Sequence, residues 1–421
     1  MSHSFLDLGL TPQLCQQLST IGFHQPTEIQ ANAIPVALAL NNMVAVAQTG
    51  TGKTAAYALP LLHRLSMRLD EPQPGPFALV VVPTRELAQQ VHDDIQSYIG
   101  DQDLRLGVIY GGTSYHMQTK HQLNQLDILV ATPGRLLDHL HQGNVSLSHT
   151  CALILDEGDR LLDLGFLPDI QRIINKMPNR DQTCLFSATF DEKLTRVTEQ
   201  WVKNGVRIEV TPANTSAQTV TQKVIQVDKT NKPALLAYLI GRSRWQQVLV
   251  FTKTKQACEA LVKSLKLDGI KATFINGDKS QGARIKALDD FKQGKVRALI
   301  ATDVAARGID IPKLDAVINF ELPFKPEDYI HRIGRTGRAG ESGIALSLVA
   351  QDEEVRLFEI ETLLDSKLPV EWVSGFEPGQ VKPEPVDDSE SRRHQPRVKP
   401  LTRAEEKRRL KARLLKQAKK R

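Results

Sequence analysis

A glycine-rich stretch, Ala47–Thr54, with the sequence AQTGTGKT, has residues suited to binding a polyphosphate. Gly50 and Gly52 allow backbone N–H groups to turn inward around phosphate oxygens, and Lys53 would place a cation on the β- and γ-phosphates. The Thr54 hydroxyl would reach a Mg²⁺ ion. An apolar run precedes the stretch and a helix-forming run follows it, so the positive end of a helix would face the phosphates. The alternative is a glycine-rich turn that binds nothing.

Two adjacent carboxylates follow another strongly apolar run. Asp156 can hold Mg²⁺ directly or through water, and Glu157 can orient and deprotonate an attacking water. The alternative is a pair of solvated loop carboxylates. Because this pair ends an apolar strand in a region that also has a phosphate loop, the sequence favours a site of nucleotide hydrolysis.

A basic cluster, His331–Arg338, with the sequence HRIGRTGR, lies in the second half of the chain. Its glycines would allow close approach of the backbone to a ligand. Charges of this kind are also found on surface helices, where they serve solubility. If the cluster faces the phosphate loop across a cleft, its arginines would act as arginine fingers and stabilise transition-state charge only when the two halves close.

Short apolar runs alternate with helical segments along most of the chain, which predicts parallel sheets covered on both faces. The runs are Met43–Val46, Ala78–Val82, Leu106–Tyr110, Ile128–Ala131, Ala152–Leu155 and Cys184–Phe186, then Val248–Phe251, Ala272–Ile275, Ala298–Ala301, Ala316–Phe320 and Ile344–Val349. Most runs end in polar or glycine-rich loops. Functional residues should therefore cluster beyond the carboxyl ends of the strands.

The alternation is interrupted at residues 211–219, which are small, polar and threonine-rich, as in a linker. We therefore predict a first α/β domain at 1–210, a second at 220–374 and a basic, largely disordered tail at 375–421. Residues 391–421 carry 14 Lys/Arg and 2 Asp/Glu, a net charge of +12, so the rest of the chain carries −6 of the total +6. Such a tail usually binds a polyanion; the alternative is a disordered end that only increases solubility.

Other features bear on location. No apolar run approaches the roughly 18 residues of a membrane span, so no membrane partner is expected. The N-terminus lacks the pattern of a secretory signal. The four cysteines have no zinc or redox spacing and are read as reduced thiols, so we expect a cytoplasmic protein.

With these motifs in order, residues 1–370 resemble a DEAD-box RNA helicase of superfamily 2, bacterial type. The fold implied is two tandem RecA-like domains. The tetrad Asp156–Asp159 reads DEGD, with Gly158 where the family has alanine. This change removes no donor, acceptor or charge, and it loosens the backbone by roughly 0.5–1 kcal/mol, so activity should be retained.

The resemblance also implies roles for individual residues. Gln30 would read the adenine edge, Phe5 would pack on the base and Asp310 would hold the ribose. ATP would be bound by Phe5, Gln25, Gln30, Gln48, Thr49, Gly50, Thr51, Gly52, Lys53, Thr54, Gly308 and Asp310, and Mg²⁺ by Thr54 and Asp156. The catalytic set would be Lys53, Asp156, Glu157, His331, Arg335 and Arg338. Hydrolysis would be coupled to unwinding through Asp159, Ser187 and Thr189.

RNA contacts are implied in both domains. They fall on Thr84, Arg85, Gly112, Thr132, Pro133, Gly134, Arg135, Thr252, Gln281, Arg284, Thr302, Asp303 and Arg307. Hydroxyls, glycine amides and arginines suit phosphates and sugars better than base edges, which predicts little sequence preference.

The expected function is ATP-dependent local unwinding of short RNA duplexes, with structured RNA, by analogy ribosomal RNA, as the partner. The alternative is an RNA-dependent ATPase that clamps RNA without unwinding it and serves as an assembly scaffold. A DNA translocase is disfavoured because no element for processive stepping can be identified. Protein partners cannot be read from the sequence.

Overall fold

The computed structural model describes residues 4–47, 50–67, 74–113, 115, 118, 123–190, 192–210, 220–306, 314–336 and 343–379. These residues form two seven-stranded sheets in which every paired strand is parallel. The predicted α/β class with two RecA-like domains is confirmed. The predicted linker at 211–219 and most of the predicted tail lie outside the described residues, so the domain boundaries remain predictions.

The first sheet has the strand order β3-β4-β2-β5-β6-β1-β7. Its strands are β1 (Met43–Val46), β2 (Ala78–Val81), β3 (Leu106–Ile109), β4 (Ile128–Ala131), β5 (Ala152–Leu155), β6 (Gln182–Ser187) and β7 (Val206–Glu209). All six predicted strands are present. The edge strand β7 was not predicted, because three of its four residues are exposed and it has no apolar run.

The second sheet has the order β10-β11-β9-β12-β13-β8-β14. Its strands are β8 (Val220–Gln226), β9 (Val248–Thr252), β10 (Ala272–Ile275), β11 (Ala298–Thr302), β12 (Ala316–Asn319), β13 (Gly343–Val349) and β14 (Val370–Glu371). The five predicted strands are present. Two strands were not predicted: β8, whose apolar residues are interrupted by polar ones, and β14, which is two exposed residues long.

Helices connect most of the strands. They are α1 (Pro12–Thr20), α2 (Glu28–Leu38), α3 (Lys53–Ser66), α4 (Arg85–Ile99), α5 (Pro133–His141), α6 (Gly158–Asp163), α7 (Leu167–Ile174), α8 (Glu192–Trp201), α9 (Lys232–Arg242), α10 (Lys255–Leu267), α11 (Gln281–Lys292), α12 (Asp303–Ala306), α13 (Pro326–Ile333) and α14 (Glu354–Leu363). The side chain of Thr11 caps α1 by accepting from the Leu14 N–H. Thr27 is the residue before α2.

Alternate residues of the first sheet enter two separate cores, one on each face. In β5, Ala152 and Ile154 belong to one core, and Leu153 and Leu155 belong to the other. Because both faces are covered, central strands of this kind are continuously apolar. That is why they could be predicted from sequence. Among the described residues, no helix is long and apolar enough to cross a membrane.

Candidate nucleotide and RNA site

The phosphate loop follows β1, and its helix α3 begins at Lys53. Gly50 and Gly52 have φ angles of +87° and +91°, in the left-handed region that favours glycine. A Cβ on Gly52 would also lie 2.3 Å from Nε2 of Gln30. The buried Lys53 donates from Nζ to the carbonyl of Ala47 at 2.8 Å. The loop therefore has the backbone that a phosphate cradle needs, while its lysine is held by the loop itself.

Gln30, which is predicted to recognise adenine, contacts this loop. Gln30 accepts from the Thr27 N–H at 2.9 Å and donates to the Gly52 carbonyl at 3.1 Å, which leaves it one donor and one acceptor position. A surface pocket opens here and is lined by Gly22, Phe23, His24, Gln25, Thr27, Gln30, Gly50, Thr51 and Gly52. Phe5 does not line this pocket; it is 4% exposed and belongs to the first domain's core. Gln48 and Thr49 lie outside the described residues.

Asp156 stands where β5 ends, directly after the buried Leu155. Its Oδ1 accepts from the Glu157 N–H at 2.8 Å, and its Oδ2 accepts from the Tyr57 hydroxyl at 2.9 Å. Burial raises the pKa of this carboxyl, and the nearby Lys53 ammonium opposes that rise. The oxygen atoms of Asp156 and Thr54 are the hard donors that Mg²⁺ prefers.

No group of three or more potential ligands among His, Cys, Asp and Glu is found in the described part of the chain. Mg²⁺ usually keeps several waters and is held by one or two carboxylates together with substrate phosphates. The residues present at Asp156 and Thr54 are therefore compatible with the ion.

Glu157 is buried and has a φ of 51°, an uncommon conformation for a residue with a side chain. Its Oε2 lies 3.1 Å from Nη1 of Arg160, which is also buried. The strained backbone and the ion pair together fix the direction of the carboxylate. Arg160 was not predicted as a site residue. It lies three residues after Glu157 at the start of a helix, and side chains three residues apart on a helix are neighbours.

The three predicted coupling residues meet at Asp159. Its Oδ2 accepts from the Thr189 N–H at 3.1 Å and from the Thr189 hydroxyl at 2.9 Å, and its own N–H donates to Oγ of Ser187 at 3.2 Å. From the second domain, Nε2 of His331 approaches Asp159 Oδ2 to 3.9 Å. Burial lowers the pKa of His331 to about 3, so its imidazole is neutral at pH 7.

Two arginines of the basic cluster lie in different surroundings. Arg332 is buried and binds both Asp303 oxygens, at 2.5 and 2.8 Å, together with Asn319 and the Glu321 carbonyl. Arg335 lines a narrow pocket with Arg160, Phe251, Asp303, Ala306, Asp328, His331 and Arg332. This pocket joins Arg160 of the first domain to residues of the second. Arg338, Arg307, Gly308 and Asp310 lie outside the described residues.

Two RNA-motif loops of the first domain are packed on each other. Thr84 caps α4 by accepting from the Leu87 N–H at 3.3 Å. The guanidinium of Arg85 lies on Gly112, where φ is +82° and a Cβ would come within 1.8 Å of Nη1. A side chain at 112 would move the Arg85 guanidinium, which is the far end of a flexible side chain, so the positive φ is what favours glycine here.

The motif Thr132–Arg135 forms the start of α5. Thr132 is the residue before the helix, Pro133 is its first residue, and Gly134 is exposed with nothing within 4 Å of a built Cβ. Backbone N–H groups at such a helix start suit a phosphate. Arg135 is turned inward and donates to Gln118 Oε1 at 2.8 Å and to the Thr113 carbonyl.

The predicted RNA contacts of the second domain are less open. Thr252 is fully buried beside Cys258, Thr302 is buried, and both oxygens of Asp303 are bound by Arg332. Arg284 forms an ion pair of 3.1 Å with Glu86 of the first domain. The Gln281 side chain lies outside the described residues. In this structure these side chains are buried or bonded to other protein groups. Their RNA contacts remain predictions.

Comparisons with known proteins agree with this two-domain nucleotide site. A family model for the DEAD/DEAH box helicase matches residues 27–197, and one for the helicase conserved C-terminal domain matches residues 231–340. The chain is 39% identical over 376 residues to the ATP-dependent RNA helicase RhlB of Pseudomonas syringae pv. tomato, covering 87% of this chain and 94% of that protein. It is 41% identical over 373 residues to the ATP-dependent rRNA helicase RRP3 of Candida glabrata, covering 88% of this chain and 75% of that protein.

Among solved structures, S. cerevisiae Dbp5 bound to RNA and ADP BeF3 is similar with a TM-score of 0.79 and 31% identity, over 88% of this chain and 95% of that one. Fold and site define a two-domain α/β nucleotide-binding enzyme. The chain belongs to the DEAD-box family of ATP-dependent RNA helicases. This confirms the prediction of an ATP-hydrolysing enzyme that acts on RNA.

Proposed function

We propose that this chain binds ATP and single-stranded RNA across the cleft between its two domains, and that closure separates short duplexes locally. Hydrolysis then releases the RNA. The observation that carries this proposal is the junction at Asp159, where Ser187 and Thr189 of the first domain meet His331 of the second. A movement of either domain changes this junction, so hydrolysis and RNA binding can be coupled through it.

In the proposed reaction, Glu157 accepts the proton of the attacking water, and the ion pair with Arg160 keeps its carboxylate aimed. Lys53 exchanges the Ala47 carbonyl for the β- and γ-phosphates of ATP. Thr54 and Asp156 would hold Mg²⁺, which would neutralise charge on the phosphate oxygens. Arg335 stabilises charge that develops on the transferred phosphoryl group.

The tetrad DEGD is proposed to act as a DEAD motif. Gly158 contributes no polar side-chain atom, and the contacts described above are made by Asp156, Glu157 and Asp159. All three carboxylates keep their partners with glycine at this position. We therefore expect the departure to affect backbone stability more than chemistry.

Structured RNA, including ribosomal RNA, is the proposed substrate class. The support is the name of the Candida glabrata relative, an ATP-dependent rRNA helicase, together with the presence of helix-start amides and hydroxyls in the RNA motifs. These groups read phosphate and sugar, so recognition would depend on single-stranded backbone and not on a base sequence.

The competing proposal is an RNA clamp that hydrolyses ATP without unwinding. It is supported by the cross-domain contacts, which would also serve a protein that stays closed on RNA. A combined assay separates the two: RNA-stimulated ATP hydrolysis, measured alongside strand separation of a short duplex at the same ATP concentration. We expect both activities. Stimulated hydrolysis without strand separation would favour the clamp, and unstimulated hydrolysis would contradict both.

A further inference from the structure

The hydroxyl of Tyr57 contacts a carboxylate assigned to Mg²⁺. Tyr57 is on α3, one helical turn after Thr54, and is 1% exposed. Its hydroxyl donates to Oδ2 of Asp156 at 2.9 Å. This hydrogen bond links the phosphate-loop helix to the end of β5.

The tyrosine ring is fixed independently of its hydroxyl. It packs edge-on against Phe186, with ring centroids 5.1 Å apart and an interplanar angle of 61°. A phenylalanine would keep this packing.

The simplest explanation of the hydrogen bond between Tyr57 and Asp156 is that a buried hydroxyl needs some hydrogen-bond partner. However, the partner it has is a buried carboxylate whose other oxygen is held by the Glu157 N–H. With a donor on each oxygen, the carboxylate plane cannot rotate freely, and its remaining lone pairs keep one direction. Outer partners of this kind orient metal ligands and commonly decide metal affinity.

We propose that Tyr57 is a positioning residue that orients Asp156 for the metal that accompanies the nucleotide. This rests on the proposed assignment of Mg²⁺ to Asp156 and Thr54. Tyr57 is not among the side chains assigned to the metal or the substrate.

The test removes one oxygen atom, with Tyr57→Phe. The affinity for a fluorescent ADP analogue is measured in saturating Mg²⁺ and again in EDTA, and the ratio is the metal enhancement of binding. We expect this ratio to fall roughly 10-fold relative to wild type, while the affinity in EDTA stays unchanged. The matched control is Tyr329→Phe, which removes a buried hydroxyl that bonds Gln222 in the second domain and should leave the ratio unchanged.

A double-mutant comparison tests the route of the effect. In an Asp156→Asn background, Tyr57→Phe should lower the ratio no further, because the carboxylate it orients is already lost. An unchanged ratio in Tyr57→Phe, beside a wild type whose affinity depends on Mg²⁺, would overturn the inference and leave the proposed function intact. A wild type whose nucleotide affinity ignores Mg²⁺ would overturn the metal assignment, and the inference with it.

Discussion

The chemistry of this site depends on how single side chains are held. Glu157 sits in the left-handed region, a conformation that costs of the order of 1–3 kcal/mol and persists only where its surroundings enforce it. The enforcing contacts are the pairing of its N–H with Asp156 and of its carboxylate with Arg160. The strain is local to the residue that carries the carboxylate.

The first prediction concerns Glu157→Gln. The amide keeps the shape of the side chain but cannot accept a proton from water, so hydrolysis should fall by roughly 10²- to 10⁴-fold while ATP binding is kept. The measurements are single-turnover hydrolysis and nucleotide affinity. Glu361→Gln is the matched control, since it neutralises a buried glutamate that pairs with Lys367, outside the site. Near-normal hydrolysis in Glu157→Gln would mean that another group activates the water.

At the scale of elements, the start of α6 and the strand β6 are in unusually close contact. A Cβ built on Gly158 would lie 3.0 Å from Cδ2 and 3.2 Å from Cγ of the buried Leu185. Two effects of an alanine therefore oppose each other. It would restrict the unfolded chain, a gain of about 0.4–1 kcal/mol, and it would press on Leu185.

The second prediction separates these two effects with Gly158→Ala in two backgrounds. In the wild type, the free energy of unfolding should change by less than about 1 kcal/mol, because gain and crowding nearly cancel. In a Leu185→Ala background, the same change should stabilise by about 1 kcal/mol, since the methyl group then fills a cavity. Denaturant unfolding measures both. Equal effects in the two backgrounds would show that Leu185 does not limit this position.

The same variant tests the proposed role of the DEGD tetrad. Alanine at 158 changes no donor, acceptor or charge. The rate of RNA-stimulated hydrolysis by Gly158→Ala should therefore stay within a few-fold of the wild-type rate. Loss of hydrolysis in a folded Gly158→Ala protein would contradict the view that this position affects backbone and packing alone.

At the scale of the whole molecule, the ion pairs Arg284–Glu86 and Lys325–Asp163 join the domains in the described part of the chain. Arg284 and Glu86 are largely buried, with 13% and 8% of their side chains exposed, whereas Lys325 and Asp163, 2.7 Å apart, are 55% and 38% exposed. An exposed pair contributes only about 0.2–1 kcal/mol, since water and salt screen it. A buried pair is costly to break on one side, because the remaining charge is left without compensation.

The third prediction uses the exposed pair, which can be changed without damage to a core. Lys325→Glu should reduce the tightening of RNA binding by a non-hydrolysable ATP analogue roughly 2- to 5-fold, because the closed arrangement loses an attraction of this size. Combining it with Asp163→Lys should restore the tightening. The measurement is RNA affinity with and without the analogue.

The control for this experiment is Lys229→Glu, which reverses the charge of another exposed lysine, paired with Asp352 inside the second domain. Lys229→Glu makes the same change in net charge as Lys325→Glu. It should weaken RNA binding by the same factor in the presence and in the absence of the ATP analogue. If the tightening is insensitive to Lys325→Glu, or the double variant does not recover, this pair does not contribute to closure.

The sequence by itself determined the sheet strands and the chemistry of the loops after them. Central strands such as β5 are buried on both faces and therefore apolar throughout, and Gly52 is required by a local φ angle. Both are properties of short segments. The exposed edge strands β7 and β14 lack that signal, because pairing with a neighbour and not burial makes them strands.

Tertiary structure alone decided what each polar group contacts. The sequence could name Asp156, Asp303 and Arg284, but it could not show that Tyr57, Arg332 and Glu86 bind them, because these partners are 99, 29 and 198 positions away. Hydrogen bonds and ion pairs act over about 3 Å, and only folding brings such distant positions that close. The arrangement of these contacts, and the domain junction at Asp159, therefore belong to the folded molecule.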